Sequence, residues 1–392
     1  MVAPYLDDGD FRLFHGDARD VLPLVESSSV HACLTSPPFW DLRDYGADGQ
    51  LGREPDPDAY VENLRGVFRE VARILRPDGT LWVEVGDTLR GKQLQGIPWR
   101  LAFALQADGW VWRNVVIWHK PNPVPESARD RATVSHSYLL QFARRRHYFY
   151  DGAAIREPAE WARWGDHTTP KYADTETGAG WIQQRSKDDL QRRFAGGRQS
   201  AVDGRYNGAG FKTTEERNAR LQGADPNPGT RNARSVWTIP TEPLREDHYA
   251  AFPQQLAERV IRAATSELGA CETCGAPWER VSERLHETGD DESNADARRM
   301  VAASGGALDG GTNSSSLAAG LWGYRTVGWR PTCSCGGGIV PCWVLDPFLG
   351  SGTTALVARR LGRCCVGVEL SDDYCEVIAR RTPQLTLALG GG

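Results

Sequence analysis

Two short segments hold residue types and spacings from which chemistry can be read. The first is Asp346-Pro-Phe-Leu-Gly-Ser-Gly-Thr-Thr354, between a strand-like run and a helix-like run. Gly350 and Gly352 allow a tight turn and close approach of the backbone to a ligand. The helix N-terminus behind them favours an anionic group. Glu369 ends the next strand-like run, where an acid can accept both hydroxyls of a ribose. No Gly-x-x-x-x-Gly-Lys-Ser/Thr pattern occurs, which excludes a P-loop. The second segment is Thr35-Ser-Pro-Pro-Phe-Trp40, at the carboxyl end of a short strand over 30–34. Ligands of open α/β sheets bind at that edge. Pro37 and Pro38 fix the backbone and remove two N–H donors. What remains is carbonyl acceptors, the Ser36 hydroxyl and the rings of Phe39 and Trp40. That set suits an exocyclic amino group on a planar base, with acceptors for its N–H bonds and a ring for its face. Each segment taken alone also reads as a packing turn.

A third cluster is made of thiols. Cys271 and Cys274 have zinc-knuckle spacing, and Cys333 and Cys335 would complete a four-cysteine site. The single-residue gap of the second pair is less usual, and His286 is a substitute ligand. The other reading is four free thiols in a loop-rich insert. With nine cysteines unevenly spread, the chain is a poor disulfide framework.

These residues need elements to position them. Val61, Leu64, Val67, Val71 and Ile74 recur at helical spacing after Pro57 and predict a helix over about 57–75, ended by Pro77-Asp-Gly79. Strands are predicted at 81–85, 115–118, 343–345 and 364–369. Helices are predicted around Ile97–Leu105, after Pro253, and after the Ser371 cap. Alternation of this kind predicts a mostly parallel sheet with helices on its faces. At 392 residues the chain has room for two or three domains, or one domain with large insertions.

Composition narrows the partners. The chain is 25% charged and 40% hydrophobic, which is globular usage. No apolar run approaches ~18 residues, and the acidic start lacks a signal peptide's basic region, so an intracellular protein is expected. The net charge of −5 gives no sign of a nucleic-acid partner. Residues 185–234 depart from that balance, with 11 basic residues against 6 acidic ones. Extended basic segments of this kind often face phosphates, although a flexible surface loop has the same composition.

Ser36-Pro-Pro-Phe39 near the start and Phe348-Leu-Gly-Ser-Gly352 near the end, in that order, resemble the motifs of the permuted β-type amino-group DNA methyltransferases. Trp118-His-Lys-Pro-Asn122 with Pro125, and His248-Tyr-Ala-Ala-Phe-Pro253, resemble two further segments of that family. The match covers about half the chain. It implies a circularly permuted, Rossmann-like, S-adenosylmethionine-dependent α/β fold with a DNA-recognition insertion and a small cysteine-rich zinc insertion.

Carried over by residue, the resemblance places Ser36, Pro37, Pro38, Phe39 and Trp40 at the target base. It places Asp17, Thr35, His248, Phe252, Pro253, Asp346, Pro347, Phe348, Gly350, Ser351, Gly352, Thr353, Thr354 and Glu369 around the cofactor. Asp17 would take the adenine amino group and Glu369 the ribose. Lys120, Arg144, Arg145, Arg192, Arg193, Arg198 and Lys212 are the expected DNA contacts, and Cys271, Cys274, Cys333 and Cys335 the structural zinc ligands. Residues 1–150 form the catalytic half of the core, 151–233 the target-recognition region and 234–268 a cofactor-site helix. Residues 269–340 form the zinc insertion and 341–392 the cofactor-binding half.

In this family Ser before Pro-Pro usually accompanies cytosine-N4 methylation, and Asp or Asn accompanies adenine-N6. Ser36 therefore points to direct methyl transfer to cytosine N4 on a flipped base, with adenine-N6 the alternative. An RNA or small-amine methyltransferase would share the cofactor loop but need no basic insert. Pro341-Cys342 is also the nucleophile pair of cytosine-C5 enzymes. It lies before the cofactor loop and not at the catalytic strand, so Cys342 reads as a buried small side chain. The expected partner is double-stranded DNA, with no membrane. A cognate restriction endonuclease would fit a cytoplasmic prokaryotic or phage protein. Recognition sequence and oligomeric state are not readable.

Overall fold

The computed structural model describes residues 3–42, 44, 46, 49–158, 230–242, 252–284 and 324–382. Two compact units divide the chain. Residues 1–155, 232–283 and 326–392 form the first, and 156–231 with 284–325 form the second. Of the second unit, the antiparallel pairing of Glu157–Pro158 with Thr230–Arg231 is described. The basic residues Arg192, Arg193, Arg198 and Lys212, and the alternative ligand His286, lie outside the described residues.

The first unit is built on a nine-stranded sheet. Its strands are β1 (Leu6–Asp7), β2 (Phe11–His15), β3 (Val30–Thr35), β4 (Leu75–Val85), β5 (Val111–His119), β6 (His136–Ala143), β7 (Val236–Thr238), β8 (Trp343–Asp346) and β9 (Cys364–Glu369). Their spatial order is β1-β2-β9-β8-β3-β4-β6-β5-β7. The run β2-β9-β8-β3-β4 is parallel throughout. β2 and β9, from opposite ends of the strand sequence, thus lie side by side, Glu369 opposite His15.

Both faces are covered. On one face lie α1 (Ala18–Val21), α2 (Pro57–Ile74) and α3 (Ile97–Ala107), whose apolar residues join one core cluster. On the other, α4 (Gln254–Ala264) and α5 (Thr353–Arg360) join a second cluster, with Cys375 and Ile378 of α6 (Asp372–Arg381). Strand residues of β3 and β8 feed both clusters, and every residue of β3 and β9 is buried. A parallel sheet covered on both faces has this pattern. Among the described residues no helix is long and apolar enough to cross a membrane.

Two local expectations change. The helix over 57–74 does not end in a separate Pro-Asp-Gly turn, because the chain enters β4 directly at Leu75 and Pro77, Asp78 and Gly79 belong to that strand. The pairing with β3 shifts register between Val30 and Ala32, absorbing the irregularity. The sheet also contains an antiparallel strand: β6 pairs antiparallel with both β4 and β5. Trp82 stacks with Trp237, 6.4 Å between centroids, where β4 and β7 meet the second core cluster.

The cysteine-rich segment leaves the sheet after α4 and returns just before β8. Ala270–Cys271 pairs with Ile339–Val340, and Trp278–Arg284 pairs with Tyr324–Pro331 as a two-stranded sheet. Arg280 ties the first of these two strands to the core through Asp151 at 2.9 Å and through Glu267.

Candidate active site

The functional residues converge where the parallel strands end. Cleft walls are formed by the loops after β2, β3, β8 and β9, and the volume is about 370 Å³. That is within the ordinary range of small-ligand sites. Asp17, Ser36, Pro37, Pro38, Phe39, Lys120, Phe252, Pro347, Phe348, Gly350, Ser351, Thr353 and Glu369 all line it. Segments more than 300 residues apart meet because β8 and β9 are inserted between β3 and β2.

One end of the cleft is acidic and Gly-rich. Glu369 is 9% exposed and accepts from Gly350 N–H at 2.7 Å and Ser371 N–H at 2.9 Å. Burial pushes its carboxyl up to about 7, and the N–H groups only partly oppose that. Asp17 caps α1 by accepting from Arg19 N–H at 2.8 Å, and the Arg19 guanidinium grips the same carboxylate. Burial alone would raise Asp17, but Arg19 outweighs it and holds the acid below its usual value. Gly352, at φ +85°, caps α5 without a side-chain bond, and a Cβ there would lie 3.1 Å from Ile378. Ser351 Oγ is buried and has no partner among the described residues. A buried orphan hydroxyl beside an open helix N-terminus suits a ligand carboxylate.

The other end carries Ser36. Its hydroxyl donates to Glu84 Oε2 at 2.7 Å. Glu84, on β4 and 4% exposed, also lines the cleft. With its hydrogen committed to a carboxylate, Ser36 Oγ keeps its lone pairs for a donor arriving from the cleft. Sequence reasoning misses Glu84. Its only signal is an acid between Val83 and Val85 in the otherwise apolar run over 81–85. Around the Pro-Pro turn, Tyr60 Oη donates to the Pro38 carbonyl at 2.8 Å. Phe39 lies against Gly86, where a Cβ would come within 2.7 Å of its ring. Lys120 Nζ sits 4.3 Å from the Trp118 ring centroid at the cleft wall.

Trp40 is a correction. Expected beside Phe39 against the base, it turns into the core at 1% exposure, and its Nε1 donates to the Glu54 carbonyl. An indole needs a partner for its N–H when buried, and Glu54 supplies one. Thr35, Asp346, Gly352 and Thr354 stand behind the cleft wall. Asp346 accepts from Thr35 Oγ1 and Thr354 Oγ1, each at 2.6 Å, and from Phe348 N–H at 3.0 Å. It joins the catalytic strand to the cofactor loop without facing the cleft. Pro253 caps α4, and His248 lies outside the described residues. Arg144 and Arg145 follow β6 at the opposite, amino edge of the parallel strands, and Arg144 donates to the Leu75 carbonyl at 2.7 Å. Cys342 is buried, which pushes its thiol up to about 11.

The four thiols Cys271, Cys274, Cys333 and Cys335 do come together, with all sulfurs within 4.8 Å of one another. Four sulfurs at about 2.3 Å from a tetrahedral zinc are about 3.8 Å apart, so the donor set fits with little movement. Backbone N–H groups of Cys274 and, less strongly, Thr273 aim at Cys271 Sγ and draw that thiol down to about 6.

Comparison with known proteins places this geometry in context. The model of the N6/N4 DNA methylase family matches residues 30–271 and 342–380. The type II methyltransferase M.SmaI of Serratia marcescens is 28% identical over 94% of this chain and 90% of its own length. The type II methyltransferase M.SfiI of Streptomyces fimbriatus is 31% identical over 93% of this chain and 89% of its own. Among solved structures, the cytosine-N4-specific PvuII DNA methyltransferase aligns with a TM-score of 0.52. It is 14% identical and covers 97% of this chain and 89% of its own, a likeness of fold.

Proposed function

The chain belongs to the N6/N4 DNA methylase family, and from that premise we propose that it methylates the N4 amino group of a cytosine flipped out of duplex DNA. S-adenosylmethionine, when bound, supplies an electrophilic methyl group. The observation that carries the reading is the Ser36–Glu84 hydrogen bond in the same cleft as Gly350, Ser351 and Glu369.

The chain's own residues divide the work. Glu369 and Asp17 accept from the ribose and adenine of the cofactor. Ser351 and the N-terminus of α5 take its carboxylate. Ser36 Oγ, held as an acceptor by Glu84, takes one N–H of the target amino group, and the Pro37 carbonyl takes the other. That orients the nitrogen lone pair toward the methyl group, and the proton the methylated amino group sheds passes to Ser36 Oγ as Ser36 gives its own to Glu84 Oε2. Phe39 stacks on the base, and Lys120 adds positive charge at the mouth where a phosphate passes. No covalent intermediate on the enzyme is needed. Serine in place of an acid before Pro37-Pro38 supports cytosine over adenine. The basic segment within 151–233 supplies the target-recognition surface, and the order of the motifs is that of a circularly permuted relative. The thiol cluster holds a structural zinc, supported by four converging sulfurs with no carboxylate among them.

The deciding experiment incubates the full chain with methyl-labelled S-adenosylmethionine and duplex DNA, then identifies the product nucleoside by mass spectrometry. N4-methylcytosine is expected. N6-methyladenine would overturn the base assignment, and label confined to RNA would overturn the DNA reading.

A further inference from the structure

The thiol cluster is hydrogen-bonded to the sheet at two points that methyl transfer does not use. His31, the second residue of β3, is 7% exposed. Its Nδ1 is 3.0 Å from the backbone N–H of Trp343, the first residue of β8, and must accept there. Nε2 therefore carries the proton and donates to the Gly275 carbonyl at 3.0 Å. Arg76, near the start of β4, donates through Nη1 to the Cys274 carbonyl at 2.7 Å, while Asp78 fixes its Nε at 3.1 Å. Gly275 adopts φ +69°, and a Cβ there would come within 2.4 Å of Arg76 Nη1. The knuckle turn is thus pressed onto the amino edge of the sheet, opposite the cleft.

The connectivity gives those contacts a purpose. Cys271 and Cys274 lie where the chain leaves the core after α4, and Cys333 and Cys335 lie where it returns to begin β8. Joining the four sulfurs closes the base of a long excursion at one point. That point is bonded to the first turns of β3 and β4 and lies a few residues before β8. These are the central strands, and they end in Ser36, Glu84 and the cofactor loop.

We propose that a thiolate-binding divalent cation, zinc by its donor chemistry, staples the amino edge of the methyltransferase core, with His31 and Arg76 as the positioning residues that join the metal knuckle to β3, β4 and β8. This rests on the structural-zinc reading above and adds what the metal stabilises. The metal takes no part in catalysis. Its loss loosens the strand order on which the cleft depends.

The test compares full-length wild type with Arg76→Met and His31→Leu, each purified without chelator. Metal content is measured by mass spectrometry, and thermal midpoints are measured before and after stripping with a zinc chelator. Wild type is expected to hold one equivalent and to lose about 5 °C or more on stripping. Both variants are expected to retain the equivalent while losing at least half of that stripping effect. If His31→Leu does not fold, Arg76→Met decides alone. Absence of metal from wild type overturns the zinc reading and the staple together. Metal bound with no thermal effect, or a stripping effect undiminished in Arg76→Met, overturns the staple and leaves the metal site standing.

Discussion

Ser36 Oγ keeps its lone pairs for the cleft because its hydrogen is donated to Glu84. Removing the hydroxyl in Ser36→Ala is expected to lower kcat by about 10² or more, the usual cost of losing one aligned polar contact at a reacting centre. Cofactor affinity should stay unchanged by calorimetry. Glu84→Gln leaves the serine in place but offers it a neutral partner, and kcat is expected to fall by about 10-fold or more. If Glu84→Gln matches wild type in single-turnover rate, the hydroxyl's orientation does not matter. Glu369 sets a pH dependence. Its carboxyl titrates at about 7, raised by burial, and the protonated form loses acceptor capacity toward a ribose. Affinity for S-adenosylhomocysteine should therefore weaken as pH falls from 8 to 6, and Glu369→Gln should bind weakly with no such slope. At this scale, Ser36 and Glu369 were legible because each sits in a run whose geometry is local, a Pro-Pro turn and a strand end. Glu84 and the direction of Trp40 were not. Both depend on what packs across from them, Ser36 in one case and the Glu54 carbonyl in the other.

Among the elements, the buried carboxylate of Asp346 is the clip that holds the end of β3 to the start of α5. Burial pushes it up to about 6, and Thr35, Thr354 and Phe348 N–H only partly oppose that. A carboxyl raised above its unfolded value near 3.8 stabilises the fold most fully below that value. The contribution is lost as pH rises through about 6. Urea denaturation between pH 4.5 and 7.5 should therefore show wild type losing more stability with rising pH than Asp346→Asn. A second element-level outcome concerns the floor under Phe39. Gly86→Ala places a methyl group 2.7 Å from the ring, so Phe39 must move. The expected result is a raised KM for DNA with little change in cofactor affinity. The helix over 57–74 and the strands at 364–369 and 343–346 could be read from periodicity and capping. The boundary at Leu75 could not, since Pro77-Asp78-Gly79 has turn chemistry and lies in the unpaired bulge of β4 between the pairs Val30–Leu75 and Ala32–Thr80. Antiparallel β6 escaped the alternation rule because no helix separates it from β5.

At the level of the whole molecule, the net charge of −5 hides a basic stretch over residues 185–234. The acidic total is a sum over a core and a basic stretch, and only the stretch speaks to a polyanionic partner. The fold class followed from alternation, but the strand order did not, because nothing local tells β9 to enter between β2 and β8. That placement bears on how the protein is made. A chain emerging from the ribosome presents β2 and β3 long before the two strands that must separate them exist. Until residues beyond 369 are released, Phe11–His15 lacks its parallel neighbour and the cleft has one wall. Folding of this core thus waits for the synthesis of β9, because its pairing with β2 joins segments far apart in sequence. Nascent chains arrested before Cys364 should be degraded by added protease, and chains arrested late enough to free β9 and α6 should resist it. Protection appearing already with β4 would show that the early strands fold without waiting.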